Sequence, residues 1–140
     1  GGTTPMQIQY LTFNQETKSI SIGTQYTGGN AGPFRELLQI AQDSSNDPVI
    51  TVLSNDTGNS ISATRTGGGR YRFTYGSSLN ADKTMVMFHN TVKSAVSGVN
   101  VVSASDASFT VATYVHNTTS NNLEADDVLF RTPLEIRIYP

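Results

Sequence analysis

Pro133-Leu134-Glu135-Ile136-Arg137-Ile138-Tyr139-Pro140 is the stretch whose reading decides the fold. Leu134, Ile136 and Ile138 alternate with Glu135, Arg137 and Tyr139, the two-residue period of a strand with one face buried. Pro133 and Pro140 bracket the run, where a residue that cannot donate to a ladder is tolerated. Terminal segments fray unless something ties them down, so a run this regular is expected to be docked in a sheet.

The composition agrees with a sheet protein. A chain of 140 residues suits one domain with a core of its own. There is no cysteine, so packing must hold the fold without disulfides or thiolate metal ligands, in a reducing or an oxidising setting. Only 14% of residues are charged and the net charge is −2, which leaves no basic field to attract nucleic acid. No window nears the roughly 18 apolar residues of a membrane span. Gly1-Gly2-Thr3-Thr4-Pro5 has no charged, apolar-cored leader and reads as a fragment end or cloning scar.

In chain order, Met6 to Phe13 and Lys18 to Ile22 read as a hairpin around a four-residue loop, Asn14-Gln15-Glu16-Thr17. Gly23 to Gly32 reads as a glycine-rich connector, with Tyr26 in a loop. Phe34 to Gln42 is ambiguous: Phe34, Leu37, Leu38 and Ala41 have helical spacing, while Leu38 and Ile40 alternate as in a strand. Val49 to Leu53 reads as a strand. Ile61, Ala63 and Arg65 lead through Gly67-Gly68-Gly69 to Tyr71, Phe73 and Tyr75, a hairpin whose aromatics face a core. Met85 to Phe88 reads as buried on both faces, Val99 to Ser103 as a short strand, and Ser108 to His116 as a long one. On the last, Phe109, Val111, Thr113 and Val115 share a face opposite Ala112, Tyr114 and His116.

Candidate chemistry is sparse. His89 and His116 lack zinc-site spacing and read as rim residues. Glu124, Asp126 and Asp127 carry oxygens that calcium takes, without the glycine-anchored calcium loop, and read as a strand-start turn. Gly67-Gly68-Gly69 precedes a strand and is no phosphate loop. No Gly-x-Ser-x-Gly elbow occurs, and nothing singles out a carboxylate pair for glycoside hydrolysis. Asn55-Asp56-Thr57 and Asn117-Thr118-Thr119 are formal glycosylation sequons of a kind this composition produces by chance. Tyr26, Tyr114 and His116 are the candidate ligand contacts, as exposed stacking and hydrogen-bonding side chains for a sugar.

Two stretches carry a resemblance. Leu11 to Ile22 resembles a short hairpin of phage tail-fibre and related structural proteins. From Phe34 onward the chain is similar to small C-terminal β domains of bacteriophage virion proteins. The match runs through Leu37-Leu38, Pro48 to Leu53, Arg65-Thr66-Gly67 and Asp82-Lys83-Thr84-Met85-Val86, then Asp126 to Leu129 and Thr132 to Pro140. The resemblance implies an extended Phe34 to Gln42 and supplies no site residues. The longer Gln39 to Asp47 stretch departs from the pattern and leaves room for a turn of helix.

The expectation is an all-β antiparallel β-sandwich, jelly-roll-like, with nine to ten strands and at most one short helix. Residues 1–32 form a hairpin extension and connector, and residues 33–140 the sandwich. The function expected is a non-enzymatic virion structural module, a fibre or appendage tip located in the virion. It would use no cofactor or metal, form a homotrimer, and contact other virion proteins or a cell-surface glycan, with no nucleic acid and no membrane insertion. The alternatives are a capsid decoration or minor capsid protein, and a carbohydrate-binding or carbohydrate-processing module.

Overall fold

The computed structural model describes residues 6–27, 33–89, 91–94, 96–116 and 123–140. The chain divides into two compact units, Gly1–Pro33 with Tyr139–Pro140, and Phe34–Ile138.

The first unit holds β1 (Met6–Asn14) and β2 (Ser19–Thr27), an antiparallel two-stranded ribbon. Its register sets Leu11 opposite Ile22 and Phe13 opposite Ile20, and the Phe13 side chain is exposed. The Asn14 Oδ1 accepts the N–H groups of Glu16 and Thr17, an Asx-type turn that leaves Lys18 at φ 53°. The loop therefore starts one residue later than the sequence predicts, because Asn14 still pairs with Ser19. The connector is also shorter: β2 runs to Thr27, so Tyr26 lies in a strand opposite Gln7 rather than in a loop.

The second unit is an antiparallel sandwich. In chain order it contains β3 (Phe34–Ala41), β4 (Val49–Asn55), β5 (Ile61–Gly67), β6 (Arg70–Tyr75) and a 3₁₀ turn at Ala81–Lys83. Then come β7 (Thr84–Phe88), β8 (Ser97–Ala104), β9 (Ser108–Val115), the two-residue β10 (Leu123–Glu124) and β11 (Thr132–Ile138). One sheet has the order β4-β3-β11-β7. In the other, β5 pairs with β6, β6 with β9, and β9 with both β8 and β10. Because β8 occupies one edge of β9 from Phe109 to Val115, β10 lies on the β6 edge, in line beyond Arg70.

The inward faces meet in one core. Leu38 and Ile40 from β3 and Leu134 and Ile136 from β11 pack against Tyr71, Phe73 and Tyr75 from β6 and Phe109 and Val111 from β9. Phe73 stacks on Phe109 at 4.9 Å and meets Phe88 of the opposite sheet edge-on at 6.3 Å. Each such fully buried Leu, Ile or Phe contributes about 1.5–3 kcal/mol. The terminal stretch behaves as its pattern predicts, with β11 hydrogen-bonded between β3 and β7 and both Leu134 and Ile136 buried.

Phe34 to Gln42 is extended. Its helical spacing is misleading, because Leu37 faces outward and is half-exposed, while Glu36, Leu38 and Ile40 face in and Phe34, on their face, is half-exposed at the end of the strand. Met85 to Phe88 is not buried on both faces: β7 is an edge strand, and Met85 is exposed. Val115 is exposed as well, since the core ends at Thr113. Gly69, at φ +69°, is required by close approach, since a Cβ there would lie 2.5 Å from the Ala125 N and 2.7 Å from the Thr113 O.

Candidate functional site

At the end of the sandwich where β3 turns into β4, a cavity of about 330 Å³ opens to solvent. Ala41, Val49, Leu129 and the exposed ring of Phe130 form its apolar wall, and Asp43, Asn46, Asp47 and Lys93 its polar rim. An apolar surface beside a few fixed polar groups is the make-up of a small-ligand site.

The loops around it are fixed by buried polar contacts. The side chain of Gln42, buried at the end of β3, donates to the Ser44 O at 2.9 Å and the Asn46 O at 3.1 Å. Its Oε1 accepts the Asp127 N–H at 2.8 Å, which joins the β3–β4 loop to the segment before β11. The Asp127 carboxylate returns the link by accepting the Ser44 N–H at 2.8 Å, and Lys93 Nζ lies 3.6 Å away. The Ser44 N–H leads in holding Asp127 below the usual carboxylate range, and the charge of Lys93 adds to it. On the far side of the loop, the Asp47 Oδ1 accepts the Arg65 N–H at 2.7 Å. The Arg131 guanidinium sits 5.4 Å from the centre of the Phe130 ring, a cation–π distance.

Backbone strain concentrates here. Among the described residues, four other than glycine have positive φ: Lys18, Ser44, Asp127 and Arg131. The last three belong to the loops that frame the cavity. Such conformations cost of order 1 kcal/mol or more each and persist where surrounding contacts over-determine them.

The acidic stretch at the end of β10 and beyond is used within the fold. Asp126 accepts from Arg65 Nη2 at 2.8 Å, from the Gly69 N–H at 3.0 Å and from the Tyr71 hydroxyl at 2.7 Å. The Arg65 hydrogen bonds lead in lowering its pKa to about 2, and burial partly opposes them. Glu124 forms a forked pair with Arg70, its Oε2 lying 2.9 Å from Nε. Glu124, Asp126 and Asp127 thus turn to three different partners. Among the described residues no group of three or more His, Cys, Asp or Glu converges as a metal site would require.

The contacts named from sequence fall elsewhere. Tyr114 is half-buried on β9, with its ring over Gly98, where a Cβ would come within 2.4 Å of the hydroxyl. His116, two residues on, is exposed and donates its N–H to the Val96 O. These two share a face, whereas Tyr26 belongs to the ribbon unit. Neither Tyr114 nor His116 lines the cavity. Its own residues come from three separate segments, so no local pattern announces them. The available signal was the pair of turn clusters, Asp43 to Asp47 and Phe130-Arg131-Thr132, that flank the β3 and β11 strand patterns.

The chain matches no protein-family model, no curated protein and no solved structure.

Proposed function

We propose that this chain is a non-catalytic attachment module of a bacteriophage virion appendage, in which the sandwich binds a surface glycan and the ribbon joins other chains. The observation that carries the binding half is the cavity beside Phe130, framed by three left-handed non-glycine residues and ringed by Asp43, Asn46, Asp47 and Lys93. An exposed aromatic face next to carboxylates and an amide suits a sugar, whose CH face stacks while its hydroxyls donate and accept. The resemblance of Leu11 to Ile22 and Phe34 to Pro140 to phage structural proteins supplies the virion setting.

The ribbon supports assembly. A lone two-stranded sheet is marginal in water, and β1 and β2 pair with no third strand among the described residues. Joining copies through this ribbon, whose Phe13 is exposed, would relieve this, and three-fold closure suits a fibre.

Two measurements test the reading. A glycan array with the full chain should give hits that Phe130→Ala weakens at least about tenfold; hits indifferent to that change would sink the groove. Light scattering should give a trimer that Phe13→Asp converts to monomer, and a wild-type monomer at micromolar concentration would overturn the assembly half.

A second reading keeps one observation. Asp43 and Asp47 share the cavity rim, and a carbohydrate-processing site needs two carboxylates flanking a cleft. The bond from the Arg65 N–H to Asp47 favours a structural role. Release of reducing sugar that Asp43→Asn abolishes would establish the enzymatic alternative.

A further inference from the structure

Both sheets of the sandwich have open edges, and the edge at β4 is unguarded. β4 pairs with β3 on one side only. Among the described residues, residues 49–54 make no backbone hydrogen bond beyond the β3 ladder. The register shift at Leu37/Leu38 leaves Leu53 with no β3 partner at all. The strand contains neither a charged residue nor a proline, two devices that keep sheet edges from pairing with other chains. Val49, Val52 and Leu53 are 64%, 57% and 58% exposed, although Val52 stands opposite the buried Leu38 and so lies on the core-facing side.

The other edges are better covered or already capped. On β5 the Arg65 N–H is taken by the Asp47 carboxylate at 2.7 Å. β7 exposes one large apolar side chain, Met85, and β8 two, Val101 and Val102, each less exposed than any of the three on β4. The same chain contains an element with the complementary need. β1 and β2 form a sheet of two strands, each nine residues long and free of charge and proline. Two strands alone are marginal in water, whereas three with an apolar face are stable. Either ribbon strand is long enough to span all seven residues of β4, and Phe13 of β1 is exposed.

We propose that β4 is the docking edge for the ribbon of a second copy of this chain, with β1 adding beside it and Phe13 covering apolar side chains of β4. The inference rests on the assembly half of the proposed function and names the surface that half requires. A second copy fits better than a foreign strand, because the ribbon lacks a third strand and matches β4 in length and in freedom from charge. Ladder hydrogen bonds supply the affinity of such strand addition and side chains the fit. Each copy gives one ribbon and receives one, a heterologous contact that closes as a ring, so a trimer satisfies every ribbon and every β4 edge.

Light scattering and hydrogen–deuterium exchange on the full chain test this. Wild type should be a trimer in which the Val49–Asn55 amides not bonded to β3 exchange at least about tenfold more slowly than in Phe13→Asp. Val52→Lys, a charge at an exposed edge position, should give a monomer with native circular dichroism. If Val52→Lys fails to fold, Leu53→Lys takes its place with the same expected outcome. Val101→Lys on β8 should leave the trimer intact, and loss of the trimer there alone would overturn the proposal by moving the contact to β8. A trimer that survives the folded Val52→Lys or Leu53→Lys, yet dissociates with Phe13→Asp, would overturn the docking edge and leave assembly through the ribbon standing. Equal exchange of the β4 amides in wild type and Phe13→Asp would overturn it as well. A wild-type monomer would remove both this inference and the assembly reading beneath it.

Discussion

Glu36 and Glu135 sit on adjacent strands of one sheet, one register step apart, and face opposite ways. Glu36 pairs with Ile136 across β3 and β11, while Glu135 pairs with Leu37. Both are buried, at 2% and 7% exposure. Their chemistry nonetheless diverges. Glu135 looks out onto Arg137, His89 and Arg35; the hydrogen bond from Arg137 leads in lowering its pKa, against the opposing effect of burial. Glu36 looks into the sandwich near Tyr75 and finds a single donor, the Asn55 amide at 3.4 Å, so desolvation raises its pKa. Burial alone therefore does not decide what a carboxyl group does. The donors that burial brings with it decide.

The largest test removes the strand that both glutamates depend on. Deleting Leu134 to Pro140 should abolish soluble expression, because it strips the central strand of its sheet and leaves the inner edges of β3 and β7 open. A soluble truncation with native circular dichroism would show the sheet to be stable without it.

A smaller test extends the donor-rich side of the comparison to Asp126. Asp126→Asn keeps an acceptor for Tyr71 and Gly69 but sets an amide against Arg65, and should cost about 2–3 kcal/mol in urea unfolding. The sign with pH follows. The depressed pKa means that Asp126 contributes its full stability above its ordinary 3.8, and loses it as pH falls towards about 2. Wild type should lose stability over that window more steeply than Asp126→Asn, and parallel curves would show that Asp126 is not the group titrating.

The smallest test has the opposite sign. Because the Glu36 pKa is raised, its neutral form fits the fold better, and its contribution is present at acid pH and lost as pH rises through the raised value. Glu36→Gln keeps an acceptor for Asn55 and should raise the melting temperature at pH 8 by about 3 °C, with little change at pH 4. Equal shifts at both pH values would break the contrast between the two faces.

What the sequence revealed follows the same division. β6 and β11 were legible because Tyr71, Phe73 and Tyr75, and Leu134 and Ile136, alternate cleanly with polar neighbours and all point inward. β3 was not. It turns Glu36 in and Leu37 out, so its hydrophobic pattern mimics a helix face. Such an inversion is paid for by contacts from elsewhere in the chain, here Asn55, which no local window contains. The cavity was hidden for a related reason: Asp43, Lys93 and Phe130 are brought together only when β3, β4 and β11 have found their places.

The position of β11 bears on how the protein is made. It lies between β3 and β7, yet leaves the ribosome after both. During synthesis the two strands it will join carry unpaired edges facing a gap, with no neighbour yet available to fill it. That sheet can close only after translation has delivered Thr132–Ile138, so its assembly waits on that strand and is governed by long-range pairing, the slow kind. Slower, cooler expression and chaperones that shield strand edges should raise the yield of folded chain more than any gain in local strand propensity.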